Sequence, residues 1–160
     1  MRLSILDNNR IRYNAFDKTN PEMELRYRII DANYFMRAAE RCFEPIMIEE
    51  IILQWLPIPG TVLLALSIEL YIKSLLFAEN KRLLKTHNLK KLFEMLDPAT
   101  QGSLIRGTTY MKNDFNTQLE LHANVFADWR YLYESSTFDG DIEFIMQLAE
   151  ILESFSNTLI

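Results

Sequence analysis

Arg82 and His87, with four residues between them, have the types and spacing to act on a phosphate. A histidine titrates near neutral pH and can take or give a proton. A guanidinium can hold a phosphate and stabilise charge developing on it. Together they could position a scissile phosphate and exchange a proton with an attacking 2′-hydroxyl. The same two side chains also read as a solvated turn residue and a first-turn helix residue that bonds locally. Glu69 and Lys73 lie four apart, in the order that favours pairing on one helical face. Arg130 and Glu134 are also four apart, and His122, Phe126 and Arg130 follow one another at single-turn intervals. A buried ion needs a partner, so Glu69, Lys73, His122, Arg130 and Glu134 are read as a structural polar cluster. An anion or ligand site is drawn from Lys73, Arg82, His87 and Arg130, with Arg82 and His87 as the catalytic candidates.

Other chemistries find no residues. Cys42 has no histidine near it in sequence and reads as a small buried hydrophobe. Asp139-Gly140-Asp141 is a fragment of a calcium loop without its remaining ligands and reads as a turn and cap. Two histidines and one cysteine do not make the usual structural zinc set. Gly-rich phosphate loops, paired cysteines and serine elbows are absent from the sequence. No cofactor and no metal are expected.

Charge is unevenly placed. The net charge is −5, yet Lys73–Arg106 carries seven Lys/Arg against three acids, whereas Gly107–Ile160 carries two bases against nine acids. A general polyanion binder is excluded. A local basic surface over 81–91 could contact phosphate, and the alternative is a solvated turn facing an acidic neighbour. The single cysteine excludes an internal disulfide and fits a reducing, cytoplasmic setting. The longest uncharged run, Ile51–Ile68, is broken by Pro57, Pro59 and Gly60, which argues against a membrane span. No signal peptide is read at the N-terminus.

The elements that must position these residues are helical. Only four Gly and five Pro punctuate 160 residues, a length that suits one domain. Residues 1–19 are polar and mixed and are expected as an irregular arm, with 20–160 forming one helical-bundle domain. Asn20-Pro21-Glu22 opens a helix by capping and dipole rules. Its stripe is Leu25, Ile29, Ala32, Met36, Ala39 and Phe43. Ile46–Trp55 reads as a shorter amphipathic helix. Thr61–Glu79 is apolar nearly all round and belongs in the middle of a bundle. Thr86 is read as the cap of a helix carrying Leu89, Leu92, Phe93 and Leu96, which Asp97-Pro98 ends. Ala99–Thr108 is expected as a loop or short turn, roughly 109–134 as one long helix, and Asp141 and Glu143 as the start of the last. The fold class is therefore all-α: an antiparallel bundle of four long helices plus one or two short ones.

Leu66-Ser67-Ile68-Glu69-Leu70-Tyr71-Ile72-Lys73-Ser74-Leu75-Leu76, followed by Thr86-His87-Asn88-Leu89-Lys90-Lys91-Leu92, resembles the HEPN superfamily. Trp129-Arg130-Tyr131-Leu132-Tyr133-Glu134 is similar to the Arg-Tyr…Glu of its long third helix. The likeness spans roughly 60–155. It implies an antiparallel helical bundle, often dimeric. Many members are metal-independent ribonucleases in toxin–antitoxin or defence systems, and others bind nucleotides or partner proteins. Catalytic members carry arginine, four to six residues, then histidine on a late helix. Here no histidine follows His122, and Arg82…His87 sits at a turn with Leu83 where a polar residue is usual. The expectation is a homodimeric, HEPN-like, non-catalytic binding module for RNA, a nucleotide or a cognate protein partner, away from membranes. The alternatives are a metal-independent endoribonuclease using Arg82 with His87 or His122, and a purely structural helical subunit.

Overall fold

A computed structural model describes residues 4–6, 10–12, 20–48, 51–54, 56–128 and 140–160. Asn20 accepts hydrogen bonds from the backbone N–H groups of Glu22 and Met23 and so caps α1, Pro21–Phe43, with Pro21 in its first turn. Ile29, Ala32, Met36 and Ala39 of its stripe are fully buried, and Leu25 and Phe43 pack partly buried against them. Glu44 is extended, as a residue before proline must be, and the helix stops there.

α2, Pro57–Ala78, is the central helix. It packs against α1, against α7 (Ile142–Asn157) and against the shorter α3 (Leu89–Glu94) and α6 (Val125–Asp128). Leu64, Ala65, Ile68, Tyr71, Ile72, Leu75 and Leu76 are all buried. By length and composition alone this helix could cross a membrane, but its most apolar window is mostly buried by its neighbours. Ser67 and Ser74 keep their hydroxyls satisfied by donating to the Leu64 and Leu70 carbonyls. The C-terminus closes in a Schellman motif. Asn80 takes a left-handed φ of 56°, its N–H donates to the Phe77 carbonyl, and the Lys81 N–H donates to the Leu76 carbonyl.

The all-α class holds, and several segments differ from expectation. Ile46–Trp55 is not a helix over its described residues. Ile46–Ile48 (β3) and Ile51–Gln54 (β4) pair antiparallel, Ile48 opposite Ile51 and Met47 opposite Ile52. Four isoleucines within the two strands favour pleated backbone over helix. Within the arm expected to be irregular, Ser4–Leu6 (β1) and Arg10–Arg12 (β2) also pair antiparallel. The segment 99–108, expected as a loop or short turn, is instead within the helix α4, Pro98–Gly107, and its C-cap. Asp97-Pro98 ends one helix and begins another, because proline suits a first helical turn.

The long helix expected over 109–134 is broken. Its first part is α5, Lys112–Leu121, and α6 resumes after the turn at His122–Asn124. The Ala123 carbonyl accepts from the Leu89 N–H at 2.8 Å, a bond between distant segments. Phe115, Leu119 and His122 still point inward. Trp129, Arg130, Tyr133 and Glu134 lie outside the described residues. In α7, Asp141 caps by accepting from the Phe144 N–H. Phe144, Ile145, Leu148 and Leu152 then close the core over α2. Leu76 is fully buried at the centre of this packing. Leu76→Ala is expected to cost about 2–5 kcal/mol in urea denaturation through lost contacts and an incompletely collapsed void.

Candidate functional site

The Glu69 side chain, only 4 % exposed, sits in the C-terminal half of α2 among apolar neighbours. Both of its oxygens are used. Oε1 accepts from Lys73 Nζ at 2.7 Å, one turn further along the same helix. Oε2 lies 2.9 Å from His87 Nδ1, across the turn that joins α2 to α3. Lys73 is itself largely covered, at 18 % exposure, whereas the His87 side chain is 58 % exposed. A carboxylate facing Nδ1 takes the proton of that nitrogen as donor. His87 Nε2 then stands as the outer nitrogen, able to accept from a ligand or to donate once the ring is charged.

The backbone holds His87 in place from three sides. Thr86 Oγ1 accepts from the Asn88 N–H at 3.1 Å. Asn88, rather than Thr86 as expected, caps α3 by accepting from the Lys91 N–H. Asn88 also donates its amide to the Asn124 side chain at 2.9 Å, and Leu89 donates its backbone N–H to Ala123. The His87 ring packs on Phe126, with centroids 4.9 Å apart and planes tilted by 31°. The break between α5 and α6 is thus the wall on which the histidine rests.

The two groups expected from sequence are redistributed. Glu69 and Lys73 pair as expected. His87, placed in the anion site, joins them. His122, placed in the polar cluster, does not: it is 1 % exposed, donates Nδ1–H to the Gln118 carbonyl at 2.8 Å and lies against the Phe144 ring. Burial pushes its pKa below the usual histidine value, and its Nε2 has no hydrogen-bond partner among the described residues. Arg130 and Glu134 lie outside the described residues. No hydrogen bond or ring contact joins Arg82 to His87 among the described residues.

The basic turn divides into paired and unpaired cations. Lys81 donates to the Met95 carbonyl at 2.7 Å and bridges Asp97 at 2.6 Å and Glu79 at 3.1 Å. These partners, Asp97 foremost, raise its pKa. Lys90 pairs with Glu120 and stands 3.7 Å from Glu94. Arg82 and Lys85 are exposed, with no acidic partner among the described residues. Cys42 is partly buried beside Phe43, in keeping with a packing role. No cluster of three His, Cys, Asp or Glu side chains suited to a metal is found among the described residues. The sequence could have revealed that Glu69 needs partners on both oxygens, because a carboxylate on an otherwise apolar helix demands them. It carried no signal that His87 would be one of them.

Comparisons with models of protein families, with curated proteins and with solved structures give no match to this chain.

Two outcomes follow from this geometry. Glu69→Gln is expected to cost about 1–3 kcal/mol in urea denaturation. Combined with Lys73→Met it should cost less than the two single changes together, because one interaction is being removed twice. The second outcome concerns pH. His122 has a folded pKa below the unfolded value of about 6.5, so below that pH the unfolded chain binds the extra proton more readily. The contribution of His122 to stability is complete above about pH 6.5 and is lost as pH falls below it. Urea midpoints at pH 5 and pH 7.5 should therefore differ more for the wild type than for His122→Gln.

Proposed function

We propose that this chain is a HEPN-like module that binds a phosphate-bearing ligand, RNA or a nucleotide, at the turn between α2 and α3 without cleaving it. The observation that carries this reading is the contrast within one short basic segment. Lys81 and Lys90 are neutralised by acids, while Arg82 and Lys85 have none among the described residues. Close by in sequence, Glu69 holds His87 by Nδ1 and leaves its other nitrogen outward. Unpaired guanidinium and ammonium groups beside an imidazole donor or acceptor suit phosphate oxygens, which accept charge-assisted hydrogen bonds from all three. Lys73 is spent on Glu69 and serves to hold the carboxylate rather than the ligand. The departure from the arrangement of catalytic HEPN members, with no histidine after His122 and with Leu83 where a polar residue is usual, favours binding over catalysis.

One observation favours the alternative of a metal-independent ribonuclease. A carboxylate bonded to Nδ1 fixes the tautomer and orientation of the imidazole, as a general base requires. A single experiment separates the two. Labelled single-stranded RNA and a labelled nucleotide are titrated with protein in EDTA, with anisotropy read for binding and gels for cleavage. Saturable binding that weakens with salt is expected, and Arg82→Ala/Lys85→Ala should lower the salt slope by about one to two units. No cleavage is expected. Cleavage that disappears in His87→Ala would establish the ribonuclease instead, and no binding of either probe would contradict the phosphate reading.

A further inference from the structure

A cleft of about 440 Å³ opens at the opposite end of the bundle from the basic turn. Its apolar lining is Met36 and Phe43 of α1, Pro45, Leu64 of α2 and Met146 of α7, and its acidic lining is Glu40, Glu44 and Glu150. No cation lines it. Glu40 pairs outward with Arg37, and Glu44 with Arg41. Arg37 also serves Glu153, so among the described residues four carboxylates face two guanidiniums and the rim is negative. Glu150 has no partner among the described residues and is exposed. The floor is open to solvent at Met146, which is 37 % exposed. Methionine side chains adapt to whatever apolar shape enters. Tight packing sets the back of the cleft. A Cβ on Gly60 would stand 2.9 Å from the Phe43 ring, so the missing side chain is what lets that ring lie where it does.

Such a cleft asks for an apolar side chain flanked by cations. The chain itself presents one. In Arg82-Leu83-Leu84-Lys85, Leu83 is partly packed against the core, Leu84 is 40 % exposed, and Arg82 and Lys85 are exposed without acidic partners among the described residues. It cannot reach its own cleft. Leu64 stands fourteen residues, about 21 Å of helix, before the end of α2 at Ala78. Lys81 further anchors the start of the turn to Met95 and Asp97 on the far side.

We infer that the occupant is a second copy of this chain, its Leu84 seated in the cleft with Arg82 and Lys85 facing the acidic rim. The contact joins two different surfaces, so it is heterologous: each copy offers a turn to one neighbour and a cleft to another, and assembly grows into a ring or an open chain. A single side chain in a cleft of this size is a small interface, so association is weak, rises with concentration and falls with salt. This does not rest on the phosphate reading. Both readings call on Arg82 and Lys85, so RNA and a second copy compete for the turn: Glu150→Lys removes association and leaves these cations free, so RNA binding is kept or tightened, whereas Arg82→Glu weakens both.

The test is sedimentation velocity over a concentration series at low salt. The wild type is expected to rise above the 18.9 kDa of one chain. Glu150→Lys alone and Arg82→Glu alone should each stay at one chain, because each places like charges across the contact. Mixed in equal amounts they should associate again, since the unaltered turn of the Glu150→Lys variant then meets the unaltered cleft of the Arg82→Glu variant. Leu84→Asp should stay at one chain in every mixture. These three substitutions sit on exposed side chains, and circular dichroism checks that each variant is folded. A wild type that stays at one chain throughout the series overturns the proposal. So does association that all the variants retain, which would mark an interface elsewhere, and so does a mixture of the two charge variants that fails to associate.

Discussion

A carboxylate placed in the most apolar helix of a small protein has to be answered, and the answer given to Glu69 governs this end of the molecule. Leaving the ion unpaired in such surroundings would cost several kcal/mol. Lys73 answers one oxygen from within α2, where a four-residue spacing suffices. His87 answers the other from outside the helix, and this requires the chain after α2 to return at a fixed height and angle. The Schellman closure at Asn80 supplies the reversal, and the bonds of Lys81 to Met95 and Asp97 tie down its start. The buried charge thus positions a partly exposed histidine.

The second half of the chain adapts to that histidine. Breaking the helix after α5 turns the Ala123 carbonyl toward the Leu89 N–H and sets Phe126 beneath the imidazole. Helical continuity is exchanged there for a wall that fixes the start of α3. His122, at the same break, is buried and held neutral by its surroundings, with one nitrogen on its own helix. The two histidines of the chain therefore have opposite characters. One is presented to solvent by a carboxylate, and the other is enclosed by aromatic and aliphatic carbon.

What could be read from the residues depended on how far each interaction reaches. The α1 stripe from Leu25 to Phe43 and the all-round apolar character of α2 were legible, because helical periodicity is a local property. The Glu69–Lys73 pair was legible for the same reason. The Glu69–His87 bond was not, because eighteen residues separate the partners and only the geometry of the turn brings them together. The break at His122 was hidden, since the Leu89–Ala123 bond that accompanies it joins distant segments. α4 was missed because Pro98 stops one helix and starts the next with the same chemistry. The Ile46–Gln54 hairpin was missed because a short apolar run fits either period, and its isoleucines favour the strand.

The most direct test of the central interaction is the ¹⁵N NMR spectrum of the His87 ring at alkaline pH. If the Glu69 carboxylate holds Nδ1, the proton resides on Nδ1 and Nε2 carries the shift of an unprotonated nitrogen, and Glu69→Ala returns the ring to the opposite tautomer that free histidine favours. A ring protonated on Nε2 in the wild type, or one whose spectrum does not change on removal of Glu69, would contradict the carboxylate bridge on which the site depends.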